Sequence, residues 1–190
     1  MQIATYTIKG GTGKSALSIC LSLENDLGII SNDALFPYDH YIEDDNLLVV
    51  NPDQGFPQIP KDMKVIYDLG GYADGRVIEI LKAVELVIVP MLPGDEQQEI
   101  CRRSIANIAQ FNKNILVVAN CYTEKKFAEL GDTFQGFPLL WFAKTKALDR
   151  IKEHKKPLSK IADTKFKREC SYKRPLEHIN NLNNAIKGLI

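Results

Sequence analysis

Short apolar runs alternate with longer amphipathic runs along most of the chain. The short runs are rich in β-branched residues and predict strands at residues 3–8, 28–31, 47–50, 65–68, 86–90, 115–120 and 139–142. The longer runs have apolar residues at helical spacing and predict helices at residues 15–25, 76–83, 95–111, 145–155 and 175–190. Nearly all-apolar strands that alternate with helices are typical of a parallel sheet covered on both faces. We therefore expect an α/β fold with a mostly parallel sheet flanked by helices.

The composition is that of one globular domain. The chain has 190 residues, of which 45% are hydrophobic and 25% are charged, and this excludes collagen-like and disordered classes. The longest apolar runs are too short to cross a bilayer, and residues 1–8 lack the basic start of a signal peptide. The four cysteines form no CxxC pair, which favours reduced thiols. We expect a single cytoplasmic domain over residues 1–190.

Charge is distributed unevenly, although Lys and Arg balance Asp and Glu at 24 each. Residues 1–143 carry 11 basic and 19 acidic side chains, a net charge of −8. Residues 144–190 carry 13 and 5, a net charge of +8. A basic helical C-terminal part on an acidic body is typical of a surface that binds a polyanion, and equally of a solvated surface that offsets the acidic body.

The first predicted strand runs directly into a glycine-rich loop, and a predicted helix follows. The loop reads Ile8-Lys9-Gly10-Gly11-Thr12-Gly13-Lys14-Ser15. Strand, glycine turn, Gly-Lys-Ser and helix form the context of a phosphate-binding loop, in which backbone N–H groups surround the anion. Lys14 can reach the β- and γ-phosphates, and the Ser15 hydroxyl is a ligand for Mg²⁺. The loop therefore predicts binding of a nucleotide with Mg²⁺.

The loop departs from the general pattern GxxxxGK[ST], because Ile8 stands at the first glycine and a second lysine, Lys9, follows. The resulting pattern, KGGxGK[ST], resembles the deviant Walker A loop of the ParA/MinD family of P-loop ATPases. The resemblance implies a P-loop NTPase fold, ATP and Mg²⁺ as cofactors, and an ATP-bound homodimer in which Lys9 reaches the partner's phosphates. It also implies the nucleotide contacts Gly10, Gly11, Thr12, Gly13, Lys14, Ser15 and Ala16. The alternative for Lys9 is a solvent-exposed loop lysine.

Two strand ends resemble the family's metal-binding and switch segments. Asp33 falls at the second position of the family's Asp-x-Asp segment, which implies a role with Mg²⁺ and the attacking water, but Ser31 replaces the first carboxylate. Asp33 is also a common type of turn cap. Asp68 ends an apolar strand as a Walker B aspartate does, which implies that it holds Mg²⁺ through water. The resemblance further assigns the N–H of Gly71 to the γ-phosphate, and it makes Lys9, Lys14, Asp33 and Asp68 the catalytic residues.

Weaker similarities continue along the chain. Asn120 ends a later strand, where the family uses a side-chain amide to recognise adenine; an amide both donates and accepts hydrogen bonds. In many ParA-like partition ATPases a basic C-terminal surface holds nonspecific DNA. The equivalent side chains here are Lys152, Lys155, Lys156, Lys160, Lys165, Lys167, Arg168, Lys173 and Arg174. Neutralised phosphates release counterions, so such binding weakens as salt rises.

Lys9 and the basic C-terminal part, read through the resemblance to the ParA/MinD family, favour a dimerising ATPase switch that partitions plasmid or chromosomal DNA. The resemblance further implies association with the nucleoid and a DNA-binding adaptor protein. A MinD-like, conjugation or secretion positioning ATPase and a small metabolic P-loop kinase or ligase are the alternatives. A kinase commonly carries an arginine-bearing lid, and no arginines cluster in a loop before residue 150. The apolar stripe of the last predicted helix is expected to be core packing, because its polar face is mostly asparagine and membrane binding needs more cations.

Overall fold

The structure is a computed structural model that describes residues 1–70, 75–144, 147–162 and 172–190. Within these residues seven strands form one sheet. They are β1 (Gln2–Thr5), β2 (Gly28–Ser31), β3 (Leu47–Val49), β4 (Val65–Asp68), β5 (Leu86–Met91), β6 (Ile115–Tyr122) and β7 (Leu139–Ala143). The strand order is β3-β2-β4-β1-β5-β6-β7, and every pairing is parallel. The predicted parallel α/β sheet is therefore confirmed.

Helices of the described residues cover both faces of this sheet. They are α1 (Lys14–Asn25), α2 (Gly75–Ala83), α3 (Asp95–Ile108), α4 (Glu124–Ala128), α5 (Ala147–His154), α6 (Leu158–Ile161) and α7 (Lys173–Leu189), and two 3₁₀ turns lie at Tyr38–His40 and Asp44–Asn46. One core layer contains residues of α1, α5, α6 and α7, and the other contains residues of α2 and α3. Successive residues of β1 point to opposite layers, Ile3 to the first and Ala4 to the second.

The pairing register places several polar residues in a row at one edge of the sheet. Thr5 of β1 lies opposite Asp68 of β4, and Ser31 of β2 lies opposite Asp68 from the other side. All three residues end their strands, so they meet at the carboxyl edge, where open α/β sheets bind ligands. The register thus builds a polar centre from three distant parts of the sequence.

β1 ends at Thr5 and not at residue 8, as the apolar run predicted. Tyr6 N still donates to Ile88 O at 3.0 Å, but the Thr7 hydroxyl then accepts from Lys9 N at 3.1 Å and donates to Lys9 O at 2.8 Å. These bonds turn the backbone out of the sheet and into the glycine loop. α3 ends at Ile108, three residues before the predicted end.

The apolar stripe of α7 packs into the core, as predicted. Ile179, Leu182 and Ile186 are buried in the layer that contains α1, and Leu176 and Leu189 pack against the same layer. Among the described residues, no helix is both long and apolar enough to cross a membrane. The apolar face of α7 is therefore covered by protein.

Two cysteines are small core residues. Burial raises the pKa of the Cys20 and Cys101 thiols to about 12, which keeps both protonated and unreactive. Cys121 is partly exposed at the end of β6, and Cys170 lies outside the described residues.

Candidate functional site

The glycine loop joins β1 to α1 and wraps around the start of the helix. Gly11 and Gly13 adopt positive φ values of 75° and 94°, and Gly13 is the N-cap of α1, its carbonyl accepting from Leu17 N at 3.0 Å. A Cβ at Gly13 would lie 2.0 Å from Asn120 Nδ2. Both the backbone conformation and the space at this position therefore require glycine.

A cavity of about 400 Å³ opens beside the loop. It brings together most of the predicted site, because its lining contains Gly10, Gly11, Gly13, Lys14, Ser15, Ala16, Ile19, Asp33, Phe36, Tyr41, Asp68 and Gly70. Loop backbone, the first turn of α1 and two carboxylates thus face one space. The N-terminus of α1 adds the positive end of its dipole, so the cavity is suited to a polyanion such as a triphosphate.

Lys14 points its ammonium group back into the loop. The residue is 8% exposed, and Nζ donates to the carbonyl oxygen of Lys9 at 3.2 Å. Burial lowers the pKa of Lys14, while the charges of Asp68 and Asp33 act in the opposite direction. A phosphate that enters the cavity therefore meets an ammonium group that is already positioned and largely desolvated.

Asp68 is the most enclosed charged group of the site, at 2% exposure. Its Oδ1 accepts from the Thr5 hydroxyl at 3.2 Å, and its Oδ2 accepts from the Tyr38 hydroxyl at 2.5 Å. Burial raises the pKa of Asp68; hydrogen bonds from Tyr38, Ser15 and Thr5 and the charge of Lys14 oppose that rise. The carboxylate is held in one orientation by several hydroxyl groups.

The segment after β2 connects to Asp68 through the backbone. Ser31 Oγ donates to the carbonyl oxygen of Asp68 at 3.0 Å and accepts from Asp33 N at 3.0 Å. Asp33 Oδ1 accepts from Leu35 N at 3.1 Å, so this side chain caps a turn and also lines the cavity. Both interpretations of Asp33 are thus compatible with its position. Asn32 Oδ1 accepts from Gly70 N at 2.6 Å, which ties the ends of β2 and β4 together.

The donor set at this edge fits Mg²⁺. The Ser15 hydroxyl and the carboxylates of Asp33 and Asp68 are hard oxygen ligands that face one cavity. The described residues contain no cluster of three or more His, Cys, Asp or Glu side chains able to hold a metal ion. One or two carboxylates plus substrate phosphates is the usual arrangement for Mg²⁺.

Lys9 lies at the outer edge of the loop with its side chain 41% exposed. Its Nζ contacts Glu96 Oε1 of the same chain at 2.9 Å, and the Glu96 side chain is 77% exposed. Lys9 is therefore a partly exposed loop lysine in this chain, paired with the first turn of α3.

A second cavity of about 330 Å³ lies on the other side of the loop, and its lining is mainly apolar. It is lined by Gly11, Gly13, Ala16, Leu17, Cys20, Leu92, Asn120, Cys121, Phe142, Ala143 and Ile179. Asn120 is buried and donates from Nδ2 to Thr12 O at 3.2 Å, while its Oδ1 is 3.8 Å from Cys121 Sγ. Because Gly11, Gly13 and Ala16 line both cavities, the two spaces adjoin along the start of α1.

The predicted basic surface is described in part. Lys152, Lys156, Lys160, Lys173 and Arg174 are exposed. Lys155 is partly buried, and its Nζ is 3.9 Å from Glu43 Oε2. The predicted residues Gly71, Lys165, Lys167 and Arg168 lie outside the described residues.

Sequence reasoning missed several residues of the site. The missed residues are Thr5, Asn32, Phe36, Tyr38, Tyr41, Gly70 and Glu96. Thr5 was missed because the apolar run predicted a strand over residues 3–8, whereas the strand ends at Thr5 and its pairing with β4 brings it to Asp68. Tyr38 had no usable signal, because nothing in its neighbourhood distinguishes a ring that enters the core from one that stays on the surface.

No protein-family model matches the chain, and its sequence matches no curated protein. Solved structures do match it. The septum site-determining protein MinD of Pyrococcus horikoshii, in complex with Mg-ADP, superposes with a TM-score of 0.63 at 13% identity, over 100% of this chain and 98% of that one. A ParA family ATPase of Chlorobium tepidum gives 0.59 at 14% identity, over 86% and 92%. A putative plasmid partition protein of Borrelia burgdorferi bound to AMPPNP gives 0.56 at 16% identity, over 78% and 88%.

These neighbours are ATPases of the ParA/MinD type, and at such identities the likeness establishes the fold. The P-loop fold that the glycine loop predicted is thereby confirmed. The chain is similar to proteins of partition and septum-site systems, and two of the three structures contain an adenine nucleotide.

Proposed function

We propose that this chain is an ATPase that dimerises when ATP is bound, holds nonspecific DNA in that state, and releases it after hydrolysis. The observation that carries the proposal is the loop itself. Lys14 lines a cavity of about 400 Å³. Lys9 precedes Gly10 of the same lining, and its side chain is 41% exposed, so a second copy can approach it. The similarity to partition and positioning ATPases supports the same assignment.

The two adjoining cavities support binding of a whole adenine nucleotide. Loop N–H groups and Lys14 would hold the phosphates, and Ser15, Asp33 and Asp68 would hold Mg²⁺. Bound Mg²⁺ would neutralise the charge that develops on the phosphate oxygens. Asn120 donates from Nδ2 to Thr12 O, and its Oδ1 accepts only a weak bond from Cys121 Sγ at 3.8 Å. The second lone pair of Oδ1 is therefore available to accept from an exocyclic amine in the apolar cavity. Adenine presents an amine there and guanine presents a carbonyl, which favours ATP.

The partly exposed position of Lys9 supports the proposal that ATP hydrolysis requires a dimer. A cation supplied by a second protomer stabilises transition-state charge in the way an arginine finger does. The ion pair with Glu96 is a weak restraint, since exposed pairs contribute about 0–1 kcal/mol. Lys9 can therefore exchange Glu96 for a partner's phosphates at little cost.

Two observations favour the switch over a metabolic kinase or a membrane-bound positioning protein. Arg102 and Arg103 pair with Glu99 on α3 and so are not directed at the phosphate cavity. The apolar side of α7 is buried in the core and is not available to a membrane. The proposed location is therefore the cytoplasm, in association with the nucleoid, together with an adaptor that stimulates hydrolysis.

Steady-state ATP hydrolysis, measured over a range of protein concentrations, tests the proposal. Specific activity should rise with concentration, because the active species is a dimer. Lys9→Ala should lower kcat by 10³-fold or more, the scale of an arginine-finger loss. It should leave binding of a fluorescent ATP analogue unchanged, whereas Lys14→Ala should abolish that binding.

Lys61→Ala is the matched control, because Lys61 is an exposed lysine on a loop that does not line the cavity. It should behave as the wild type does. Hydrolysis that is independent of protein concentration, or that persists in Lys9→Ala, would exclude the trans-acting lysine.

A further inference from the structure

Tyr38 donates a hydrogen bond directly to the carboxylate of Asp68. It belongs to the 3₁₀ turn Tyr38–His40 between β2 and β3 and is 1% exposed. Its hydroxyl is 2.5 Å from Asp68 Oδ2 and 2.9 Å from Ser31 Oγ. A phenol has one proton, and the carboxylate is both the nearer and the charged acceptor, so the proton is shared chiefly with Asp68.

The cavity lining places this contact on the protected side of Asp68. Asp68 lines the 400 Å³ cavity, but Thr5, Ser31 and Tyr38 do not. Asp68 therefore borders the cavity, whereas the two residues whose hydroxyls hold its carboxylate lie outside the lining. A ligand in the cavity can reach Asp68 without displacing Tyr38.

The same side chain is packed against the wall of the cavity. The Phe36 ring lies 4.6 Å from the Tyr38 ring and 6.0 Å from the Tyr41 ring, centroid to centroid. Phe36 and Tyr41 both line the cavity. Tyr38 thus joins the Asp68 carboxylate to the aromatic segment that borders the cavity.

We propose that Tyr38 is a positioning residue, whose hydroxyl fixes the carboxylate of Asp68 in the orientation that holds Mg²⁺ and links it to the Phe36–Tyr41 wall. The proposal rests on the proposed binding of ATP with Mg²⁺. It gives the Tyr38 hydroxyl a function that Ser31 cannot supply alone, because the Ser31 proton goes to the Asp68 carbonyl oxygen.

Tyr38→Phe isolates the hydroxyl, because it keeps the buried ring and its contact with Phe36. Asp68 then loses the shortest of its hydrogen bonds. Loss of a hydrogen bond to a charged group weakens the linked equilibrium about tenfold or more. The Mg²⁺ concentration that gives half of the effect on nucleotide affinity should therefore rise about tenfold.

Tyr6→Phe is the matched control. Tyr6 is also 1% exposed, and in the described residues its hydroxyl has no hydrogen-bond partner and no place in either cavity beside the loop. This variant removes a buried phenol hydroxyl without touching Asp68. Thermal unfolding of both variants shows whether either change disturbs folding.

The experiment is a titration of a fluorescent ATP analogue, first in EDTA and then at increasing Mg²⁺. The expected result is equal affinity of wild type, Tyr38→Phe and Tyr6→Phe in EDTA, and a tenfold shift of the Mg²⁺ curve in Tyr38→Phe alone. A curve for Tyr38→Phe that coincides with wild type would overturn the assignment. Equal weakening with and without Mg²⁺ would also overturn it, because a purely structural defect does not discriminate the metal. A wild-type affinity for the ATP analogue that does not change with Mg²⁺ concentration would overturn the proposed nucleotide site as well.

Discussion

Gly13 shows how one position can limit both the fold and the site. Its φ of 94° disfavours any side chain, and a Cβ would meet the amide of Asn120 at 2.0 Å. The same amide borders the apolar cavity and donates to Thr12 O. A side chain at Gly13 would therefore strain the backbone of the loop, and it would also displace the side chain of Asn120.

Gly13→Ala should lower the free energy of unfolding by about 2–4 kcal/mol, because it adds left-handed backbone strain and overpacks the space beside Asn120. It should also lower nucleotide affinity. Urea unfolding and nucleotide titration measure the two effects, and Gly55→Ala is the control, since Gly55 lies in an exposed loop with open space around it. Equal stability of the two variants would contradict the packing argument.

α7 stabilises the fold through its apolar face, which is part of the core. Leu182 is 2% exposed, and it is buried between the sheet and α1 together with Ile179 and Ile186. Asn25 on α1 and Asn183 on α7 add a hydrogen bond of 2.9 Å between their side chains. The helix is part of the core layer, so core packing accounts for its amphipathic pattern and the pattern does not indicate membrane binding.

Leu182→Ala should lower the free energy of unfolding by about 2–5 kcal/mol, because it leaves a cavity in a well-packed layer. Lys187→Ala, on the exposed side of the same helix, should change it by less than about 0.5 kcal/mol. Chemical denaturation gives both values. An unchanged free energy of unfolding in Leu182→Ala would contradict the core position of α7.

Wild-type protein should fail to float with anionic liposomes, because the apolar face of α7 is covered by the core. Flotation would mean that α7 leaves the core.

Charge separation matters at the scale of the whole molecule. Lys152, Lys156 and Lys160 project from the region of α5 and α6, while the part before residue 144 carries a net charge of −8. In the proposed function, DNA phosphates would be attracted by these lysines and repelled by the acidic residues before residue 144. We expect binding to the DNA backbone without reading of sequence.

Replacing Lys152, Lys156 and Lys160 by Gln should weaken ATP-dependent DNA binding equally for all sequences. Each lost phosphate contact reduces the slope of log affinity against log salt by about 0.9, so three contacts give about 2.7. Mobility shifts or fluorescence anisotropy at several salt concentrations measure the slope. The control replaces Lys61, Lys64 and Lys125, which lie on the acidic part. An unchanged slope in the first variant would place the DNA surface elsewhere.

The sequence predicted what depends on local pattern. Buried parallel strands are apolar on both faces, so seven short runs were enough to find seven strands. The phosphate loop is contiguous, so Lys14, Ser15 and the glycines were found together. Thr5, Ser31, Tyr38 and Asp68 meet only because two pairings and one 3₁₀ turn bring them together across the sheet. Contacts of that kind leave no periodic signal in the chain.

In the proposed dimer, the ion pair between Lys9 and Glu96 would affect how two copies meet. Because the ammonium group lies 2.9 Å from a carboxylate of its own chain, a protomer would show little excess positive charge beside its loop. Two such loops would then approach each other without strong mutual repulsion. A triphosphate of the partner carries more negative charge than Glu96 and would compete for the Lys9 ammonium group after contact.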